Sequence, residues 1–391
     1  MFVPREEIFV PSTLFSELSA GALGLPNRIV ASPMCQYSAD KGCAGDWHLQ
    51  HLMGLAMSGC GLVVVESTAV APEGRITPGC LGLYSDATEA ALTRVLTAAR
   101  SVAPPGTKFA IQLSHAGRKA SAARPWEGGG ALPPAEGWAT HAPSAIAFAE
   151  DWPVPEALDT DGIARLVADF AAAARRAVRA GFDAIELHMA HGYLLHEFAS
   201  PLSNQRTDRH GGSTEARLSV PLAVAKAVVE AVPDHVAVGA RITGSDWLAG
   251  GLTPADAITL ASGLRARGLA FVCVSSGGIT PRSGHQVALH QLRRGAGYQA
   301  GLAREIRAAA GIATMAVGMI VDPRHAEEII ASDNADMVAI ARALLDDPRW
   351  VWRAADLLGT PIARPPQYQR AAPKRWPGYA LARHFADGTT L

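Results

Sequence analysis

Eight short apolar, β-rich runs recur along the chain, and longer amphipathic runs follow most of them. The β-type runs fall near Arg28–Ser32, Gly61–Glu66, Lys108–Leu113, Ala184–His188, Val236–Arg241, Ala270–Ser275, Thr314–Val317 and Met337–Ile340. Helical patterns cover Trp47–Ser58, Thr88–Ser101, Asp161–Ala180, Glu215–Ala231, Pro254–Arg267, Tyr298–Ala310 and Pro323–Ala331. Thr253-Pro254 and Asp322-Pro323 read as helix starts, a capping oxygen followed by a proline preset for the first turn. Gly181, Gly268 and Gly311 stand where helices should stop. Eight strand-then-helix units predict a (β/α)8 TIM barrel. A doubly wound sheet is the alternative, but no G-x-G-x-x-G follows the first strand.

A chain of 391 residues suits a single barrel domain. The barrel is placed at about residues 24–360, with an insertion at 115–159 after the third strand and a tail at 360–391. The insertion holds Gly128-Gly129-Gly130, Pro133-Pro134 and the indoles of Trp126, Trp138 and Trp152. A structureless loop of that length is usually functional or mobile. It is expected to roof part of the barrel mouth; a peripheral hairpin is the other reading.

Charge narrows the partners. With 35 basic and 36 acidic residues the formal charge is −1, so nothing draws the chain to nucleic acid or a membrane surface. Five cysteines without C-x-x-C spacing read as a reducing, cytoplasmic setting. The segment Met1–Glu7 lacks a signal-peptide pattern, and no apolar run is long enough to span a bilayer.

The ends of the strands carry the chemistry. In Ile185–Tyr193 the strand should stop near Leu187, so that His188, His191 and Tyr193 leave at its C-terminal end, where barrel chemistry sits. Two imidazoles can donate to one substrate oxygen, and a phenol can deliver a proton nearby. The spacing also admits a metal pair, for which no third ligand stands near, or two structural histidines. The first strand ends in Ser32-Pro33-Met34-Cys35-Gln36-Tyr37, with Cys35 and Tyr37 expected in the mouth. Gln112 offers donor and acceptor in one plane, which suits a pyrimidine edge. Arg241 is a permanent cation that can stabilise an anionic ring. Loops after strands seven and eight are the usual phosphate site of this barrel, and Gly318, Ala341 and Arg342 fit it. No carboxylate pair is spaced for glycoside work, and no lysine ends a strand; Lys119 is placed further along a loop. A planar phosphorylated cofactor such as FMN would use all of these parts.

Together these motifs resemble the old yellow enzyme family of FMN-dependent ene-reductases, in its thermophilic-like or xenobiotic-reductase branch. They are Ser32–Tyr37, the segment Val70–Thr77, Gln112–Lys119, His188–Tyr193, Ser203–Gly212 and Gly318–Ile320, spread over almost the whole chain. The resemblance implies bound FMN, NADPH or NADH as hydride donor, and activated alkenes as small-molecule substrates. It implies that Ser32, Pro33, Met34, Cys35 and Ser67 line the flavin, with Cys35 tuning its potential. Gln112 would bind the pyrimidine edge, Arg241 would lie beside the ring, and Gly318, Ala341 and Arg342 would hold the phosphate. His188 and His191 would hold the substrate oxygen, Tyr193 would protonate the α-carbon and Tyr37 would touch the substrate. Arg370 resembles an arginine sent into a neighbouring subunit's site, implying a homodimer or a tetramer of dimers. Two departures stand out: Ala341 replaces a usual glycine, a strained choice if the position needs positive φ, and Ser67 replaces a common alanine. A flavin-binding storage or sensor protein and a dienoyl-CoA reductase-like enzyme are the alternatives; the latter's iron–sulfur cysteines are not found.

Overall fold

The computed structural model describes residues 12–281 and 295–381. The segment Met1–Glu7 and the last ten residues of the tail lie outside it. Eight strands, Ile29–Ala31, Leu62–Ala69, Lys108–Ser114, Ala184–Met189, Ala237–Thr243, Phe271–Ser275, Ala313–Val317 and Met337–Ile340, close into a barrel. Each pairs in parallel with its neighbours in sequence, and the eighth pairs with the first through Val338↔Ile29. This is the predicted (β/α)8 barrel. The helices of the sequence reading are present with ends shifted by a few residues, for example Thr160–Ala180 and Ala300–Ala310.

Strand periodicity sorts the side chains into two cores. One set, including Val30, Leu62, Val64, Ala110, Ala184, Phe271, Met315 and Met337, fills the barrel interior. The alternate set, including Ile29, Val63, Phe109, Ile111, Ile185 and Leu187, packs outward against helices that supply Leu92, Phe170, Val224 and Ile306. Burying each large aliphatic or aromatic side chain contributes roughly 1.5–3 kcal/mol, so the two cores hold the scaffold rigid. Leu23 and Leu25, from the antiparallel hairpin Leu18–Ala20/Leu23–Leu25, join the interior set. The sequence reading did not foresee this hairpin; its three-residue strands are too short to show a period.

Three further differences bear on the site. The fourth strand continues to Met189 instead of stopping near Leu187, so His188 is still in the ladder, opposite Arg241. Arg241 supplies the partner backbone that extends it. The insertion is not structureless: it has turns at Gly117–Lys119 and Pro125–Glu127 and a two-residue parallel pair, His141–Ala142 with Glu156–Ala157. Beyond the barrel, helix Trp350–Leu357 leads to the turn Pro366–Ala371, and Arg349 stacks on both Trp352 (4.1 Å) and Tyr368 (4.3 Å), fastening the tail. Among the described residues no helix is long and apolar enough to cross a membrane.

Candidate active site

Along the third to sixth strands the inward positions change from apolar to polar toward the C-terminal end. Ala110 is followed by Gln112, Ala184 by Glu186 and His188, Ala237 by Gly239 and Arg241, and Cys273 by Ser275. The apolar ends seal the barrel floor. The polar ends form the base of a cavity of about 1400 Å³. Tyr37, His191, Arg241, Gly318, Ala341 and Arg342 line it, as do Lys119, Phe148 and Trp152 of the insertion. The insertion therefore does roof the mouth. Phe148 and Trp152 meet edge to face at 5.1 Å, which stiffens that roof.

The remaining predicted residues, Arg370 apart, lie behind this wall or at its rim. Ser32 is buried and accepts from the Arg241 guanidinium at 3.2 Å. Gln112 is buried, and its amide nitrogen donates to Glu186 at 2.7 Å. His188 is buried below His191. Pro33, Met34 and Cys35 follow the first strand and are half-buried, while Ser67 is buried where the second strand slips register between Val65 and Thr68. Tyr193 stacks edge-on against His188 at 4.7 Å. Arg370 is exposed on the tail and does not line the cavity of its own chain.

A chain of hydrogen bonds assigns the histidine tautomers. The Ala190 backbone N–H donates to His188 Nδ1 at 3.2 Å, so the ring proton of His188 sits on Nε2. That proton points to His191 Nδ1 at 3.3 Å, which leaves the proton of His191 on Nε2, 2.6 Å from the Ser275 hydroxyl. Ser275 in turn donates to Gln299 Oε1 at 3.5 Å, beside Ser276 at 2.6 Å, and the Gln299 amide donates to the Val317 carbonyl at 2.7 Å. Every link runs the same way, from a backbone N–H to a backbone carbonyl. Burial, and next the Arg241 charge, hold both imidazoles well below the usual histidine range, so both are neutral. Burial pushes the Tyr193 phenol up, with Cys35 and Tyr37 adding to the effect, so it keeps its proton. The Cys35 thiol is likewise pushed up by burial and by Glu66.

Residues that the sequence reading did not assign complete the support. His196 is fully buried; its Nδ1 accepts from the Gly192 backbone at 2.8 Å, and its Nε2 lies 3.0 Å from Asp246, a close polar contact rather than an aligned hydrogen bond. Asp246 also accepts from Ser200 (2.7 Å) and the Leu252 backbone (2.8 Å). This group pins the loop that carries His191 and Tyr193. Lys119, placed in a loop by the sequence, reaches the mouth and donates to the carbonyls of His191 (2.9 Å) and Gly278 (3.3 Å). It also lies over the Tyr193 ring at 5.2 Å. A third signal was invisible in sequence. Tyr37, His191, Trp247 and Met319 hold φ between 52° and 60°, and all four line the cavity. Such conformations cost on the order of 1–3 kcal/mol each and collect where function needs them.

The phosphate end can be tested against FMN. Gly318 has φ 116°, and a Cβ there would lie 2.6 Å from the Gln299 amide nitrogen, so only glycine fits. Ala341 has φ −111°, outside the left-handed region, so its methyl carries none of the strain that a positive φ would impose. Arg342 is exposed on the cavity wall. Deeper in the mouth the Arg241 Nε is buried with no hydrogen-bond partner among the described residues, and Gln112 has its amide oxygen to offer. An unpaired buried donor calls for an acceptor. The residues present fit a planar, phosphorylated cofactor that carries hydrogen-bond acceptors on its ring.

A parallel barrel with a roofed C-terminal mouth of neutral histidines, a protonated phenol and a buried guanidinium is the frame of a barrel oxidoreductase. The chain belongs to the NADH:flavin oxidoreductase / NADH oxidase family, whose model matches residues 13–360. It is 41% identical over 366 residues to an NADH:flavin oxidoreductase of Gibberella zeae, covering 89% of this chain and 86% of that one. It is also 41% identical over 362 residues to an NADPH dehydrogenase of Listeria innocua, covering 92% and 99%. Among solved structures, morphinone reductase superposes with a TM-score of 0.71 at 29% identity over 94% of both chains. The resemblance to old yellow enzymes therefore holds, and the protein is an NAD(P)H-dependent flavin oxidoreductase that works with FMN.

The hydrogen-bond chain has a spectroscopic consequence. Neither His188 nor His191 is expected to titrate near neutral pH, although a free imidazole does so near about 6.5. Long-range 15N–1H spectra of histidine-labelled protein should show both rings neutral with the proton on Nε2. A cationic ring, or a proton on Nδ1 in either, would undo the tautomer assignment.

Proposed function

We propose that the protein is an ene-reductase acting on activated C=C bonds in α,β-unsaturated carbonyl compounds, nitroalkenes and maleimides. The observation that carries this reading is the pair of linked neutral imidazoles beside the protonated Tyr193, inside one roofed mouth. FMN, when bound, would supply the hydride-carrying chemistry between NADPH or NADH and the β-carbon of the alkene.

The chain's residues then divide the work. Ser32, Pro33, Met34, Cys35 and Ser67 line the ring, and Cys35 tunes its potential. Gln112 accepts from the pyrimidine edge through the oxygen that its bond to Glu186 leaves available. Arg241 offers its unpaired Nε to the side of the ring where charge collects. Gly318, Ala341 and Arg342 cradle the phosphate. His188 and His191 donate to the substrate's carbonyl or nitro oxygen. Both of their N–H groups already have acceptors, His191 Nδ1 and Ser275, so an arriving oxygen replaces an existing bond and leaves no donor bare. Negative charge grows on that oxygen as hydride arrives, and preplaced donors act mainly on that later state. Tyr193 gives its proton to the α-carbon, and Tyr37 touches the substrate. Five free cysteines support a reducing, cytoplasmic setting.

Four outcomes are expected. His188→Ala or His191→Ala should slow reoxidation by an enone ~10²–10³-fold and reduction by NAD(P)H far less, as removal of one oxyanion donor does. Tyr193→Phe should be slow with plain enones but less affected with nitroalkenes. Stopped-flow measurement of both half-reactions decides this, and equal slowing of the two halves would make the motif structural. Arg342→Ala should weaken FMN binding by roughly 1.5–3 kcal/mol, the value of a charge-assisted contact. Unchanged FMN affinity, measured by titrating the apoprotein, would remove Arg342 from the phosphate. Arg370, exposed and away from its own cavity, is assigned to the mouth of a second subunit. Arg370→Ala should raise KM for bulky enones at full flavin content, and sedimentation that finds only monomer at micromolar concentration would end that assignment.

A further inference from the structure

Glu186 is the one charged residue of the fourth strand, and none of the roles above uses its charge. Ala184 fills the barrel interior while Ile185 and Leu187 face the helices, so Glu186 also points inward. It is 1% exposed. Its register partners are Gln112 on the third strand and Gly239 on the fifth, and Arg241 stands one inward position higher, opposite His188. The carboxylate accepts from Gln112 Nε2 at 2.7 Å. That bond decides which way the Gln112 amide faces, since only the nitrogen can donate to a carboxylate. Arg241 is 8% exposed, and its guanidinium donates to a neutral hydroxyl, that of Ser32. A guanidinium buried this deeply needs a counter-charge nearby, because an unpaired buried charge is strongly disfavoured. Burial raises the Glu186 carboxyl above its ordinary range and the Arg241 charge opposes that rise, so the two groups act on each other through the interior.

We propose that Glu186 is a positioning residue for the flavin: it orients the Gln112 amide toward the cofactor, and its negative charge offsets part of the Arg241 charge that the ring meets. The inference rests on the assignment of Gln112 and Arg241 to the flavin ring. Two separable effects follow. Orientation needs only an acceptor at position 186, whereas the offset needs the charge. With the charge gone, Arg241 favours the electron-rich reduced cofactor more strongly.

The test compares wild type, Glu186→Gln and Glu186→Leu as FMN-loaded proteins and as apoproteins titrated with FMN. Glu186→Gln can still accept from Gln112, and even with both amide orientations equally populated half of the protein stays competent, so its dissociation constant for FMN should stay within about threefold, while the midpoint potential moves positive. Glu186→Leu frees the amide, and its dissociation constant should rise about tenfold, the usual consequence of losing a buried polar partner. Spectroelectrochemistry of the folded Glu186→Gln protein is decisive even if the leucine variant fails to fold. An unchanged potential in that protein overturns the charge role. A loss of FMN affinity in Glu186→Gln as large as in Glu186→Leu overturns the orientation role. Failure of the underlying reading looks different: wild type itself would bind no FMN, or Gln112→Leu and Arg241→Leu would leave FMN affinity and potential untouched.

Discussion

Closing eight parallel strands on themselves allows each inward side chain only one of two surroundings. It packs in the sealed lower half, or it opens into the mouth. This chain respects that constraint strand by strand. Ala110, Ala184, Ala237 and Cys273 sit low, and Gln112, His188, Arg241 and Ser275 sit one or two inward positions higher. The low positions meet leucines of the N-terminal hairpin in the same apolar cluster, and the high ones meet the loops. Polar groups placed any lower would be buried without partners, at a cost of several kcal/mol each. The site is where it is because the barrel allows polar atoms nowhere else inside it.

Within that frame the backbone, more than other side chains, directs the chemistry. Two amides of a single turn, those of Ala190 and Gly192, set the tautomers of His188 and His196. From His188 the order passes through His191 and Ser275 to Gln299, so the mouth has a hydrogen-bond direction before any substrate enters. The fixed direction keeps the imidazoles neutral donors. It also links the turn that carries His191 to the loop that starts at Gly318, since Gln299 bonds Val317 and leaves no room for a side chain at 318. Preorganisation of this kind reduces the reorganisation needed when charge develops.

Long sequence separations decide the rest. Lys119 holds the carbonyls of His191 and Gly278, joining loops after the third, fourth and sixth strands. Arg118 does the same with the Ile279 carbonyl at 2.7 Å while its backbone N–H meets Glu197. These ties make the roof part of the barrel.

The sequence by itself determined the barrel, its eight strands and, at the mouth, Tyr37, His191, Arg241, Gly318, Ala341 and Arg342. Period-two strands, capped amphipathic helices and motif residues at strand ends are local signals, written within a few residues of one another. It also carried the insertion's aromatic content, from which the roof could be inferred. Only the tertiary structure decided that the fourth strand runs on to Met189, because the backbone partners of its last residues lie on the fifth strand. The same holds for the tautomers of His188 and His191, the place of Lys119, the pairing of His196 with Asp246 and the burial of Glu186 beneath Arg241. Each of these depends on atoms from strands or loops tens of residues apart, and a hydrogen bond or a charge has no direction until both of its ends are placed.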